Sequence, residues 1–164
     1  MKKLTYLLLF SVSFLLISKN SQAQDYKTAV GLKFGAYEVG PSVKYFMDKG
    51  TALEGILGIR DHGVVLTGLY ELNQQAFNVD KLSFYYGFGG HLGSVGNGYY
   101  KRFGGDDEYY NGKHILIGAD AVIGLEYVIP SAPIAISLDL NPRLELARGP
   151  FFDIAPGLGI KYTF

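Results

Sequence analysis

The 164 residues contain no cysteine, no tryptophan and only two methionines. Without cysteine there are no disulfide staples, no thiol catalysis and no thiolate metal centre, so an exported domain of this size must be held by its own core or by the lipid around it. Net charge is missing as well, with 15 Lys and Arg against 15 Asp and Glu. That removes the basic excess by which nucleic acid is bound. After residue 24 no stretch has a helical period, and no second domain, longer repeat or low-complexity tract is visible. What the chain has in excess is glycine and aromatic rings, 22 Gly, 13 Tyr and 11 Phe. Glycine stands well above the usual ~7%, and together with the rings it favours β structure with close backbone contacts over a helical bundle.

The first 23 residues read as a cleaved signal peptide. Lys2 and Lys3 form a positive start, and Leu4 to Ile17 is an apolar run broken only by Thr5, Tyr6, Ser11 and Ser13. Ser21-Gln22-Ala23 then places small residues at positions −3 and −1 of a leader-peptidase site. The run is shorter than the roughly 18–20 residues that span a bilayer, which argues against a retained anchor. Cleavage removes Lys2, Lys3 and Lys19 and leaves 12 cationic against 15 acidic residues, a net −3, in one domain of residues 24–164.

Within that domain a period of two recurs over segments of about ten residues, and successive side chains of a strand point to opposite faces. In the last segment Phe152, Ile154, Pro156, Leu158, Ile160, Tyr162 and Phe164 alternate with Asp153, Ala155, Gly157, Gly159, Lys161 and Thr163. Comparable alternation predicts strands near 28–36, 41–47, 51–60, 64–72, 82–93, 115–127 and 134–146. That makes eight strands. Pro142 and Pro156 fall inside two of them and are expected to mark bulges or bends. Asp48-Lys49-Gly50 and Asp61-His62-Gly63 read as tight turns with glycine at positive φ. Residues 94–114 form the longest connection.

The polar faces carry Lys33, Lys44, Arg60, Arg143 and Lys161 against Glu54, Glu71, Asp120, Glu126, Asp139, Glu145 and Asp153. Alternation alone does not say which face is inside. A soluble lipocalin-like barrel would turn its apolar face inward, and a membrane barrel would turn it to lipid. Aromatics at one end of the apolar face (Tyr45, Tyr70, Phe84, Tyr127, Tyr162 and Phe164) suit a membrane–water boundary. An eight-stranded interior is also too narrow for the apolar set. The expectation is an all-β, eight-stranded, antiparallel up-and-down transmembrane barrel whose polar-face charges pair with one another in a closed lumen. With an even strand count both termini lie on the periplasmic side, and the long connection faces outward.

Gly157-Leu158-Gly159-Ile160-Lys161-Tyr162-Thr163-Phe164 resembles the C-terminal signal read by the barrel-assembly machinery of Gram-negative outer membranes. Gly159, Tyr162 and Phe164 match that pattern, and Gly157 departs from it, standing where a polar residue is usual. The whole segment after the leader resembles the small outer-membrane β-barrel proteins of Bacteroidetes-type bacteria, with an OmpA/OmpX-like architecture. The resemblance implies an outer-membrane location, with membrane lipid, lipopolysaccharide and the assembly machinery as partners and no cofactor.

Chemical motifs are sparse. Lipid A deacylases, an enzyme class on such barrels, present a His-x-Ser pair with a nearby Glu. Here His91-Leu92-Gly93-Ser94 is one residue too long, and on a strand it puts the two side chains on opposite faces. His62 and His114 have no serine at that spacing. Asp106-Asp107-Glu108 lacks the regular spacing of a calcium loop. The glycine clusters at 87–90 and 93–98 open no helix that would cradle phosphate. The long loop sets Tyr99, Tyr100, Lys101 and Arg102, then Tyr109 and Tyr110, beside charges of both signs. That surface is suited to stacking on sugars or gripping lipopolysaccharide phosphates. The reading is therefore a non-enzymatic barrel with a structural, envelope or surface-binding role. The alternatives are a lipid A deacylase, a soluble lipocalin-like binder, and a lateral conduit for apolar molecules, which would want an apolar lumen.

Overall fold

The two-residue alternation becomes ten strands in the computed structural model, which describes residues 26–103, 106–147 and 151–164. The expected leader and cleavage site lie outside the described residues. The strands are β1 (Thr28–Gly35), β2 (Glu38–Phe46), β3 (Thr51–Arg60), β4 (Gly63–Gln75), β5 (Leu82–Val95), β6 (Gly98–Tyr100), β7 (Glu108–Tyr110), β8 (His114–Val128), β9 (Ile134–Glu145) and β10 (Phe151–Thr163). Eight of them close into an antiparallel barrel in the order β1-β10-β9-β8-β5-β4-β3-β2, and β6 with β7 forms a separate two-stranded arm. β1 meets β10 from Ala29 opposite Thr163 to Gly35 opposite Gly157, which seals the sheet. One end of the barrel carries the chain end at Phe164, and the β6–β7 arm stands at the other.

Several local expectations are corrected. β2 begins at Glu38 rather than at residue 41, which turns the Glu38 carboxylate inward, and β4 and β5 run on to Gln75 and Val95. In the turn between β3 and β4 the positive φ belongs to His62 (63°), not to Gly63, and Gly50 also has an ordinary φ. The β2–β3 turn is shaped instead by Asp48, whose Oδ1 accepts the Gly50 and Thr51 amides at 2.9 and 2.8 Å.

Neither expected proline bulge forms. β9 and β10 keep one register from Phe151 opposite Glu145 to Tyr162 opposite Ile134. On its other side, β9 interrupts the ladder to β8 opposite Ala121 and Val122 without shifting register. Pro142 has no N–H to offer there, and the Asn141 side-chain amide donates to the Ala121 carbonyl in its place. A borrowed donor satisfies the carbonyl where the backbone lacks one.

The distribution of polarity is inverted relative to a water-soluble core. The buried set includes Lys33, Lys44, Glu54, Glu71, His91, Asp120, Glu126, Asp139, Arg143, Glu145, Asp153 and Lys161. The exposed set is a wall of Leu, Ile, Val, Phe and Tyr on every barrel strand. Exposed aromatics gather at both ends, with Tyr45, Tyr70, Tyr127, Tyr162 and Phe164 at one and Phe34, Tyr37, Tyr99, Phe103, Tyr109 and Phe152 at the other. The second belt was not foreseen.

Candidate functional site

The interior is built in layers, and β4 shows them in order. Its inward side chains run Val65, Thr67, Leu69, Glu71, so apolar and polar levels alternate along one strand. β8 repeats this with Leu116, Asp120, Val122 and Glu126.

The level nearest the terminal end is a lysine–carboxylate network. Lys44 Nζ lies 3.0 Å from Glu71 and 3.3 Å from Glu126, and donates to Asn73 Oδ1 at 2.9 Å. Lys161 Nζ lies 2.7 Å from Glu54 and 3.7 Å from Glu126. Lys33 Nζ lies 2.8 Å from Asp139 and 3.9 Å from Glu54. Three ammoniums thus face four carboxylates, and three hydroxyls compensate. Tyr26 donates to Glu126 at 2.5 Å, Ser42 to Glu54 at 2.5 Å and Tyr85 to Asp139 at 2.6 Å. Burial beside Glu126 pushes the Tyr26 phenol well above its ordinary pKa, so it remains a donor. Two glycines make room for this network. A Cβ on Gly157 would sit 2.5 Å from Asp139 Oδ1, and one on Gly159 would run into Ser137 Oγ. The lumen supplies a packing reason for the glycine that departs from the assembly-signal pattern.

Above it lies an apolar layer of Ile56, Leu69, Tyr85 and Val122. A second network follows. Arg143 donates through Nε to Asp120 at 2.8 Å and through both terminal nitrogens to Glu38 at 3.2 and 3.1 Å. His91 places Nδ1 2.6 Å from Asp120 and Nε2 3.0 Å from Glu145. A carboxylate on each ring nitrogen is matched by a ring with two N–H donors. Glu145 also accepts the Ile117 and Ala147 amides at 2.9 and 3.0 Å.

The far mouth is closed by the β6–β7 arm. Tyr100 and Tyr110 are buried with Val65, Val95 and Leu116, and Phe151 packs against them. Arg60 stacks 3.6 Å from the centroid of the Tyr100 ring and donates to the Lys101 carbonyl at 2.9 Å. Arg102 lies 4.6 Å from the Phe151 ring centroid, and the Phe103 amide donates to Asp153 at 3.0 Å.

The twelve charges read from the polar faces therefore all point into the barrel or its mouth, but as two networks rather than one. Glu38, Tyr26, Ser42, Asn73 and Tyr85 belong to those networks and were missed. Glu38 would have been found had β2 been started three residues earlier. The six loop residues divide. Tyr100 and Tyr110 serve the arm's own packing, whereas Tyr99 and Tyr109 form an exposed edge-on pair with centroids 5.1 Å apart. Lys101 is exposed, while Arg102 is engaged by the Asp106 carbonyl and Glu108. Gly159, Tyr162 and Phe164 lie on or just past the closing strand, with the two rings 4.9 Å apart.

His91 faces inward, and Ser94, in register with the exposed Val64 and Ile115, faces outward, so they do not meet. Among the described residues no cluster of three or more His, Asp or Glu is arranged to hold a metal ion. No protein-family model matches the chain, and no curated protein matches it.

Proposed function

We propose that the chain after its leader is an outer-membrane β-barrel of a Gram-negative bacterium, with a filled interior and a structural, envelope or surface-binding role. The observation that carries this is the inversion of polarity, with ion pairs inside and a continuous apolar wall outside. Water-soluble proteins do not leave an apolar surface of this extent uncovered, and a soluble ligand cup would want an apolar interior. The dimensions agree. From Phe152 to Tyr162, aromatic belt to aromatic belt, β10 rises about 34 Å along the strand, or about 26 Å along an axis tilted by roughly 40°. That matches the ~25 Å apolar band of outer-membrane barrels. In this orientation the chain end is periplasmic and the β6–β7 arm faces outward.

The test is cell fractionation of the expressed full chain with an alkaline wash, followed by gels of heated and unheated samples. The expected result is recovery in the outer-membrane fraction and a band that shifts on heating. Recovery as a soluble protein that needs no detergent would overturn the reading.

A further inference from the structure

At the arm end, a cleft of about 460 Å³ crosses the lip of the barrel between the β1–β2 turn and the β6–β7 arm. Its walls differ in character. On the outer side Phe34, Val39 and Ile59 stand in one row across β1, β2 and β3, continuing the apolar wall. On the lip it is lined by Tyr37, Arg60, Asp61, Tyr99 and Lys101. The cleft is therefore amphipathic along its length, and it is of ligand size.

Its polar half is pre-organised. The Arg60 side chain is only 5% exposed, braced by Glu38 at 3.9 Å, the Lys101 carbonyl and the Tyr100 ring. Both Glu38 oxygens already accept from Arg143. Arg60 and Glu38 thus hold one another at the back of the cleft, and the exposed cation that faces a ligand is Lys101, with Asp61 beside it. Two tyrosines flank these charges, one from each side of the cleft.

We propose that this cleft binds the head of a glycolipid, with a phosphorylated sugar between Tyr37 and Tyr99 and acyl chains along Phe34, Val39 and Ile59. The exposed Lys101 ammonium suits a phosphate. Tyrosine faces and the Asp61 carboxylate suit ring and hydroxyl groups that a simple phospholipid lacks. The apolar row suits chains that remain in the bilayer. The proposal rests on the membrane reading and adds to it a site and a ligand class. It also moves the binding role from Arg102, which the arm uses internally, to Lys101, with Arg60 as the brace behind it.

The probes are diphosphoryl lipid A, the deacylated bisphosphorylated glucosamine disaccharide and dioleoyl phosphatidylglycerol, each titrated into the detergent-refolded barrel. Native mass spectrometry and tyrosine emission, clean because the chain lacks tryptophan, report binding. Lipid A is expected to bind one to one, at least tenfold more tightly than phosphatidylglycerol or the deacylated head. Lys101→Glu and Tyr37→Ala should each weaken it at least fivefold. Lys113→Glu, the same charge change outside the cleft, should leave it unchanged. Equal binding of phosphatidylglycerol would reduce the effect to anionic lipid in general and overturn the assignment. Equal binding of the deacylated head would assign the cleft to free sugar phosphates and overturn it too, as would indifference to Lys101→Glu. Should Tyr37→Ala fail to refold, Lys101→Glu alone decides. A barrel that inserts into membranes but ignores lipid A sinks this proposal only, whereas a barrel soluble without detergent sinks the membrane reading beneath it.

Discussion

Replacing Lys161 by Met tests whether the inner network is held by charge balance. Lys161 is one of three ammoniums among four fully buried carboxylates, and it serves Glu54 at 2.7 Å and Glu126 at 3.7 Å. Methionine fills nearly the same volume, so packing is preserved and the charge is lost. Removing one partner of a buried ion pair costs about 3–5 kcal/mol, because the other is left charged and dry. Here the lower end, about 3 kcal/mol, applies. Glu54 keeps the Ser42 hydroxyl and Lys33 at 3.9 Å, and Glu126 keeps Lys44 and the Tyr26 hydroxyl. Adding Glu54→Gln removes the stranded charge, so the double variant should return to within about 1 kcal/mol of the parent, far from additive. Urea titration of the refolded barrel, followed by the heat-shift gel band, measures both variants. A single variant within about 0.5 kcal/mol of the parent, typical of an unconstrained surface site, refutes the reasoning. So does a double variant as unstable as the sum of the singles.

Three further expectations concern the wall, the arm and the backbone. Leu140, outward at the middle of β9 and about half exposed, should tolerate Arg at under ~0.5 kcal/mol if it faces water but lose about 2–4 kcal/mol if it faces lipid; unfolding in bilayers separates the two. Tyr100→Ala removes the ring that joins Arg60 to the aromatic cap and should cost the arm's docking about 3 kcal/mol. Limited proteolysis should then cut within 98–110 while the barrel's gel shift persists, and Tyr99→Ala should not expose those cuts. Gly89 and Gly55 make a matched pair: a Cβ on Gly89 would run into the Gly68 carbonyl, whereas one on Gly55 meets nothing within 4 Å. Gly89→Ala should lower folding yield sharply and Gly55→Ala should leave it unchanged, both read from the unheated gel.

The barrel was legible because a period of two is a one-dimensional signal, and a strand with one apolar face can hardly sit any other way. Lys33, Lys44, Glu54 and Glu71 could be placed on the inner face without knowing their partners. Strand ends were less legible. Residues 37–40 offer glycine and proline follows at 41, which reads as a turn, yet the register carries Glu38 into the sheet. Positive φ falls on His62, whereas Gly63 is required because a Cβ there would run into the Ser94 carbonyl of β5, a tertiary effect with no local mark. Splitting one network into two required knowing which residues share a level, and strand tilt decides that, not spacing. The division of the tyrosine loop followed the same logic. Tyr99 and Tyr100 are neighbours in sequence, but a two-residue strand period sends one ring out and the other into the mouth.

The cross-lumen pairs also explain why the sheet closes in one register. Lys33 on β1 reaches Asp139 on β9, Lys161 on β10 reaches Glu54 on β3, Arg143 on β9 reaches Glu38 on β2, and Lys44 on β2 reaches Glu126 on β8. None of these strand pairs is adjacent in the sheet. An open eight-stranded sheet cannot form these contacts, so they reward closure itself rather than any one hairpin. A slip of one residue at the β1–β10 seam would turn Lys33 or Lys161 onto the apolar wall, and a slip of two would set ammonium and carboxylate at mismatched levels, with an apolar layer beside one of them. Buried ion pairs add little net stability over apolar packing, but their loss in wrong registers is severe, and that asymmetry selects the seam. Among the described residues the same filling stands across the lumen, and a solute would have to break both charge networks, cross the Ile56–Leu69–Val122 layer and lift the docked arm. On the proposed reading, binding falls to the lip at the arm end, where Tyr37, Tyr99 and Lys101 line the cleft.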